Sequence, residues 1–201
     1  MMIYLVVAWS PTDEELRRIK ELQEYERRGI AFEQFLQFGS GHEPSVVLDE
    51  FLFLGNIHHG SNLDLLERFK IDNDVRTNIK QHFNRTNELL HSYYMKNERC
   101  LVHCVAGVSR SATVILAYLM KYHHNTLTEA FHYLVEKRPQ IWPNEGFMIQ
   151  LLRYENKLIK SREIVLTSAA SETSLCTAAS SSNETKNSIE TLKEFKKKEQ
   201  I

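Results

Sequence analysis

Two residues with chemistry to offer, Cys104 and Arg110, enclose a short loop that contains Gly107. Upstream, Leu101-Val102 reads as a short buried strand; downstream, Ala112 to Tyr122 reads as an apolar helix that must be buried. A loop running into a helix N-terminus points several backbone N–H groups at one spot, where the helix dipole also favours negative charge. Gly107 lets the backbone turn and approach a ligand closely. Arg110 supplies a planar fork that can grip two phosphate oxygens at once. A cysteine facing such donors is expected to have a depressed pKa and to stand as thiolate at neutral pH. The spacing therefore predicts a phosphate cradle carrying its own nucleophile. The plainer alternative is a small buried cysteine beside an unrelated arginine. His103 before, Ser111 after, and the strand and helix on either side favour the cradle.

The run His103-Cys104-Val105-Ala106-Gly107-Val108-Ser109-Arg110-Ser111 resembles the signature of the cysteine-dependent protein phosphatases, in their dual-specificity branch. Phe53-Leu54-Gly55-Asn56 resembles the opening of such domains, and Trp142-Pro143-Asn144-Glu145-Gly146-Phe147, through Leu151 and Tyr154, resembles their closing helix. The resemblance implies hydrolysis of phosphotyrosine and phosphoserine or phosphothreonine through a phosphocysteine on Cys104. The backbone of Val105, Ala106, Gly107, Val108, Ser109 and Arg110, with the Arg110 guanidinium, would hold the phosphate oxygens. His103 is expected behind the loop, helping to tune it, and Ser111 would steady the thiolate as it leaves. No cofactor is implied. His58-His59 and His123-His124 are adjacent pairs whose side chains diverge, which does not suit a metal.

A general acid must protonate the leaving oxygen. The resemblance places it on a loop ahead of the long helix that starts near Ile79, at an offset that falls on Asn73. Asp72 and Asp74 flank that position. Asp72 is favoured because it follows the apolar Ile71, with Asp74 in reserve; either could also be a plain helix-entry residue.

The elements that must position this loop belong to an α/β fold, a central and mostly parallel sheet flanked by helices. Residues 1–45 read as a largely helical extension, 46–160 as the phosphatase-like domain, and 161–201 as a disordered tail rich in Ser, Thr and Lys. Met2 to Trp9 is apolar but far shorter than the ~20 residues that cross a bilayer, and it lacks the features of a signal peptide. Ser10-Pro11 reads as a helix start, and Thr12 to Arg28 as an exposed helix with Leu16, Ile19 and Leu22 as its apolar thread, ending at Gly29. Ile30 to Phe38 is aromatic-rich and could dock that helix. Val46-Val47-Leu48 and Phe51 to Leu54 read as a hairpin. Ser61 and Asp64 cap a short helix through Phe69. Ile79 to Lys96 reads as a long helix, and Thr126 with Glu129 as a capping box for the next, which Arg138-Pro139 ends.

One stretch departs from the family pattern. Phe69-Lys70-Ile71 runs straight into Asp72, where the pattern has roughly two dozen more residues and about two strands of ordinary length. Those strands are expected to flank the strand leading to Cys104, on both sides. Each backbone group left unpaired and buried would cost about 1–3 kcal/mol. Met2 to Ala8 or Val46 to Leu48 are candidates to take their place.

Composition limits the partners. A net charge of −1 offers no electrostatic case for nucleic acid or an acidic membrane. Three cysteines make no disulfide framework and favour a reducing compartment, cytoplasmic or nuclear. Cys100 and Cys104 cannot pair across one strand, because four strand residues span about 13 Å and a disulfide needs its Cα atoms within about 7 Å. Asn183-Glu184-Thr185 then carries no glycosylation meaning, and Lys196-Lys197-Lys198 reads as plain solvation. The expected partner is a phosphorylated protein. A phosphatase-like module that binds phosphoprotein without turnover is the competing reading. A phosphoinositide or RNA 5′ phosphate would use the same loop, but Val105, Ala106 and Val108 give it no extra charge.

Overall fold

The computed structural model describes residues 11–29, 43–49, 51–60 and 73–175. The chain divides into two compact units, Met1–Ile159 and Lys160–Ile201. In the first, strands β1 (Ser45–Leu48) and β2 (Leu52–Gly55) form the antiparallel hairpin that their alternation predicts, with Ser45 opposite Leu54 and a register shift between Val46 and Leu48. Strand β3 (Cys100–His103) lies parallel to β2, so that Leu52 pairs with Cys100 and Gly55 with His103. The sheet order among the described residues is β1-β2-β3, with one antiparallel and one parallel pairing. A parallel pair needs a long crossover, here supplied by the chain between Asn56 and Arg99.

This pairing corrects one expectation. The strand leading to Cys104 was expected to lack neighbours on both sides, but β2 provides one of them. Leu52 and Leu54 are fully buried, as befits a strand with partners on both edges, whereas every residue of β3 is half-buried. Val46 to Leu48 does not stand in at β3; it pairs on the far side of β2. Met2 to Ala8, Ile30 to Phe38 and the short helix expected over Ser61 to Phe69 lie outside the described residues.

Helix α1 spans Asp13–Gly29 and α2 is a single turn, Ile57–Gly60. A 3-10 turn, Ile79–His82, leads into α3 (Phe83–Met95). Helices α4 (Arg110–Tyr122), α5 (Leu127–Lys137) and α6 (Glu145–Leu175) follow. Every residue from Ser111 to Met120 is buried, so α4 is the core around which the others pack. The Asn87 side chain donates to Tyr154 Oη at 3.0 Å and to the Ala117 carbonyl at 3.4 Å, joining α3, α4 and α6 with a satisfied donor. The Thr126–Glu129 capping box forms in full at the start of α5.

Helix α1 is more than the solvated face expected of it. Its cap is Thr12, which exchanges hydrogen bonds with Glu15 in both directions. Ser10, the expected cap, lies outside the described residues. Ile19 and Leu22 are buried, while Leu16 is exposed. Arg18 reaches the buried Glu155 of α6 at 2.6 Å, and Glu155 also accepts from the Leu127 N–H at 2.7 Å. Arg153 donates to Glu15 at 2.8 Å. These links cross from α1 to α6, and no short-range pattern reveals them.

From Ser161, where composition predicts a disordered tail, α6 continues to Leu175. The physical reason is that Ser161 to Leu175 contains no proline or glycine, so nothing interrupts the backbone ladder. Asn183 and Lys196 to Lys198 lie beyond the described residues.

Candidate active site

The loop between β3 and α4 is held by its carbonyls. Val105 C=O accepts from the Ile57 N–H at 3.1 Å, and Val108 C=O from the Trp142 N–H at 2.9 Å. Gly107 C=O accepts from Arg138 Nε at 2.9 Å. Ser109 C=O accepts from the Thr113 N–H at 2.9 Å and from its hydroxyl at 2.8 Å. In a trans peptide the N–H points opposite to the carbonyl. Anchoring these four carbonyls outward therefore turns the following N–H groups, those of Ala106, Val108, Ser109 and Arg110, to the concave side. That side opens on the N-terminus of α4, where the helix dipole adds to the donors.

Cys104 sits at the base of this cradle. Its Sγ accepts from the Gly107 N–H at 3.2 Å and from the Ser111 hydroxyl at 3.2 Å. Burial alone pushes the thiol up, but the Ser111 hydroxyl and the N–H groups of Ser111, Val108 and Gly107 outweigh it and hold the pKa below the usual thiol value. Cys100, at the start of β3 and without such donors, goes the other way and is pushed by burial up to about 11. Two cysteines four residues apart thus shift in opposite directions, because only Cys104 has hydrogen-bond donors to offset burial. Removing the hydroxyl tests this. A chemistry that needs the thiolate loses rate as pH falls through the Cys104 pKa. Ser111→Ala should move that acid limb to higher pH and slow breakdown of any phosphocysteine about tenfold, one hydrogen bond to a charged sulfur. Pre-steady-state traces would show the change as a burst followed by slow turnover; an unshifted limb with no burst would remove Ser111 from the account.

Gly107 is the one glycine of the loop, and it has φ +70°. A Cβ there would also lie 2.5 Å from the Gly55 carbonyl oxygen and 2.7 Å from Arg138 Nη2. The position therefore needs glycine for both conformation and space.

Arg138 ends α5, as the sequence predicts, and also supports the cradle. It is 4% exposed, donates from Nε to Gly107 C=O, and donates from Nη1 to Ser45 Oγ at 3.1 Å. Pro139 disfavours helical geometry at the residue before it, and Arg138 accordingly has φ −145° and ψ 88°. That extended step carries the side chain off the helix and under the cradle. An arginine closing a helix is common enough that the sequence carries no local sign of this use.

The other expected residues divide. Arg110 lies at the first position of α4, half-buried, where the loop closes. His103 packs under α2: a Cβ on Gly60 would lie 2.4 Å from its Nε2. Asp74 is exposed and accepts from the Arg76 N–H at 2.7 Å. That bond, with the Arg76 guanidinium 3.4 Å away, outweighs desolvation and holds its carboxyl below the usual range, the wrong direction for a proton donor. Asp72 lies outside the described residues, but the segment after it is anchored. Asn144 donates from Nδ2 to the Asn73 carbonyl at 3.4 Å and from its N–H to Ser109 Oγ at 3.3 Å, so one residue touches both the cradle and the loop ahead of Ile79. Gln150 accepts from the Lys80 N–H and donates to Thr77 C=O, fixing the far end of that loop. Among the described residues no cluster of three or more His, Cys, Asp or Glu side chains could hold a metal.

A cysteine of lowered pKa at the base of a ring of N–H donors, closed by an arginine at a helix start and carried on an α/β fold, defines the class of cysteine-dependent phosphatases. Residues 52–157, more than half of the chain, match the family described as dual specificity phosphatase, catalytic domain, and the chain belongs to that family. It is 48% identical over 80 residues to dual specificity protein phosphatase 14 of Mus musculus, covering 40% of each chain. To the putative tyrosine phosphatase 123R of Invertebrate iridescent virus 6 it is 35% identical over 135 residues, covering 58% of this chain and 94% of the viral one. Its fold is similar to that of a variant of human DUSP28, with a TM-score of 0.54 and 25% identity over 60% of this chain and 99% of the other. The alignments span less than half the length of the first curated relatives, 9% and 40%.

Proposed function

We propose that this chain hydrolyses phosphate monoesters on phosphorylated proteins, at tyrosine and at serine or threonine. The observation that carries this reading is the Cys104 sulfur, held below the usual thiol pKa by donors of the same loop that would bind the phosphate. In the first step the Cys104 thiolate attacks phosphorus, the S–P bond forms, and the P–O bond to the side chain breaks. The departing oxygen takes a proton from a carboxylic acid. In the second step that carboxylate takes a proton from water as its oxygen attacks phosphorus. The S–P bond breaks, inorganic phosphate leaves, and the Ser111 hydroxyl donates to the returning thiolate. The N–H groups of the loop, with Arg110, stabilise the equatorial oxygens throughout. No redox or metal step enters this balance.

Hydrolysis of a small aryl phosphate by the purified chain, with mass-spectrometric trapping of phosphate on Cys104 at acid quench, tests the reading. Turnover with a trapped phosphocysteine supports it, and phosphopeptide binding with neither would leave the non-catalytic module. The N–H geometry favours catalysis, because binding alone does not require a lowered thiol pKa.

We assign the general acid to Asp72, since the Asp74 carboxylate is engaged by Arg76. General acid catalysis contributes about 10²–10⁴-fold and matters most when the leaving group is poor. Asp72→Asn should therefore slow an unactivated phenyl phosphate by about 100-fold and a nitrophenyl phosphate much less, while Asp74→Asn changes neither. Equal, leaving-group-independent rates in both variants would return the acid to another residue.

A further inference from the structure

The cradle is bordered by exposed apolar side chains that the reaction itself does not use. Val105 is 58% exposed, Ile57 48%, Trp142 38% and Val75 37%. They are continuous with the loop through its own anchors. Ile57 is bound to Val105 and Trp142 to Val108 by the backbone bonds described above. Val75 reaches the same border through α6: its carbonyl oxygen lies 1.8 Å from where a Cβ on Gly146 would stand, so only glycine lets the two backbones approach. Asn144, two residues before Gly146, donates to Ser109 of the loop. Grouped exposed apolar side chains mark contact surfaces more often than scattered ones do.

We infer that Ile57, Val105, Trp142 and Val75 form an apolar rim that selects phosphorylated protein segments with apolar side chains next to the phosphorylated residue. This rests on the phosphatase reading and deepens it. The occupant follows from continuity with the cradle: when a phosphate is seated there, whatever adjoins its ester covers these side chains. The local charges point the same way. Glu145, exposed, lies beside Asn144, and its charge at such a border disfavours an acidic segment, whereas Asp74 beside Val75 is offset by Arg76. An anionic membrane surface is disfavoured on the same grounds.

The test uses the full chain and three substrates: a phosphotyrosine peptide with Leu and Val on either side of the phosphoresidue, the same peptide with Glu at those positions, and phosphoinositide in neutral lipid vesicles as the non-peptide arm. The expected result is a kcat/KM about tenfold higher for the apolar peptide than for the acidic one, the worth of partly covering one or two apolar side chains. In Ile57→Thr and Trp142→Gln the ratio should fall toward one. Because it compares two substrates of one preparation, the ratio is independent of how much of each variant is folded. A wild-type ratio near or below one, a ratio unchanged in both variants, or faster turnover of phosphoinositide than of the apolar peptide would overturn the rim. If aryl phosphate is not hydrolysed at all, the phosphatase reading fails instead; the rim is then read from the affinities of the same two peptides, where equal affinity overturns it.

Discussion

Replacing Cys104 with serine should abolish turnover of an aryl phosphate by about 10⁴-fold or more, while leaving phosphate binding in place. The magnitude follows from the chemistry of nucleophile removal. A serine hydroxyl is not ionised near neutral pH, and the donors that lower the thiol pKa cannot bring an alcohol into the same range. Binding should survive because the donors are backbone N–H groups whose directions are set by carbonyls anchored elsewhere: Val105 to Ile57, Gly107 to Arg138, Val108 to Trp142 and Ser109 to Thr113. Steady-state kinetics on the two proteins, with inorganic phosphate as competitor and as ligand, checks both halves. Residual turnover within 100-fold of the parent would move the nucleophile away from Cys104. Lost phosphate affinity would show instead that the sulfur, and not the backbone, holds the loop open.

The second large effect belongs to a residue that never touches the phosphate. Arg138→Met keeps the length and packing of the side chain but removes its donors. The buried Gly107 carbonyl then loses its partner, a cost of about 1–3 kcal/mol, which chemical denaturation would register as a lower midpoint. Activity should fall further than stability. A loop displaced by about 1 Å can lose about 100-fold in rate, and Gly107 packs tightly on Gly55, whose carbonyl oxygen would lie 2.5 Å from an added Cβ. Arg138→Lys should recover little, because one ammonium cannot serve Gly107 and Ser45 together in the geometry of the guanidinium. The two roles separate in the kinetics at denaturant-free conditions. A residue that only supported folding would reduce the active fraction and leave KM unchanged, whereas a positioning residue raises the inhibition constant for phosphate and lowers kcat together. Rates within threefold of the parent in Arg138→Met would refute the role.

These two residues also mark how far the sequence could be read. Cys104, Gly107, Arg110 and Ser111 were legible because a phosphate loop is a local object: strand, glycine, arginine and helix start follow one another within a dozen residues. The Thr126 capping box was legible for the same reason, its two bonds spanning three residues. Arg138 was not, since its partners Gly107 and Ser45 are 31 and 93 residues away. Nor was the use of α1, whose Arg18 meets Glu155 across 137 residues. The expectation of a short sheet in an α/β fold agrees with the structure, and only the neighbours of β3 differ. That β2 was a strand could be read from alternation, but which strand it pairs with depends on register against a distant partner. The resemblance suggested missing neighbours on both sides of β3, and parallel pairing with β2 fills one of them.

The sequence by itself thus determined the chemistry: a thiol, a ring of amides and an arginine, in an order that admits phosphate transfer. Only the tertiary structure decided how the amides are aimed and which acidic group is already engaged, as Asp74 is by Arg76. The physical reason is that a nucleophile is a property of a side chain and its immediate neighbours. The direction of an N–H is a property of its peptide plane, and that plane is held here by Ile57, Arg138 and Trp142, from three separate parts of the chain.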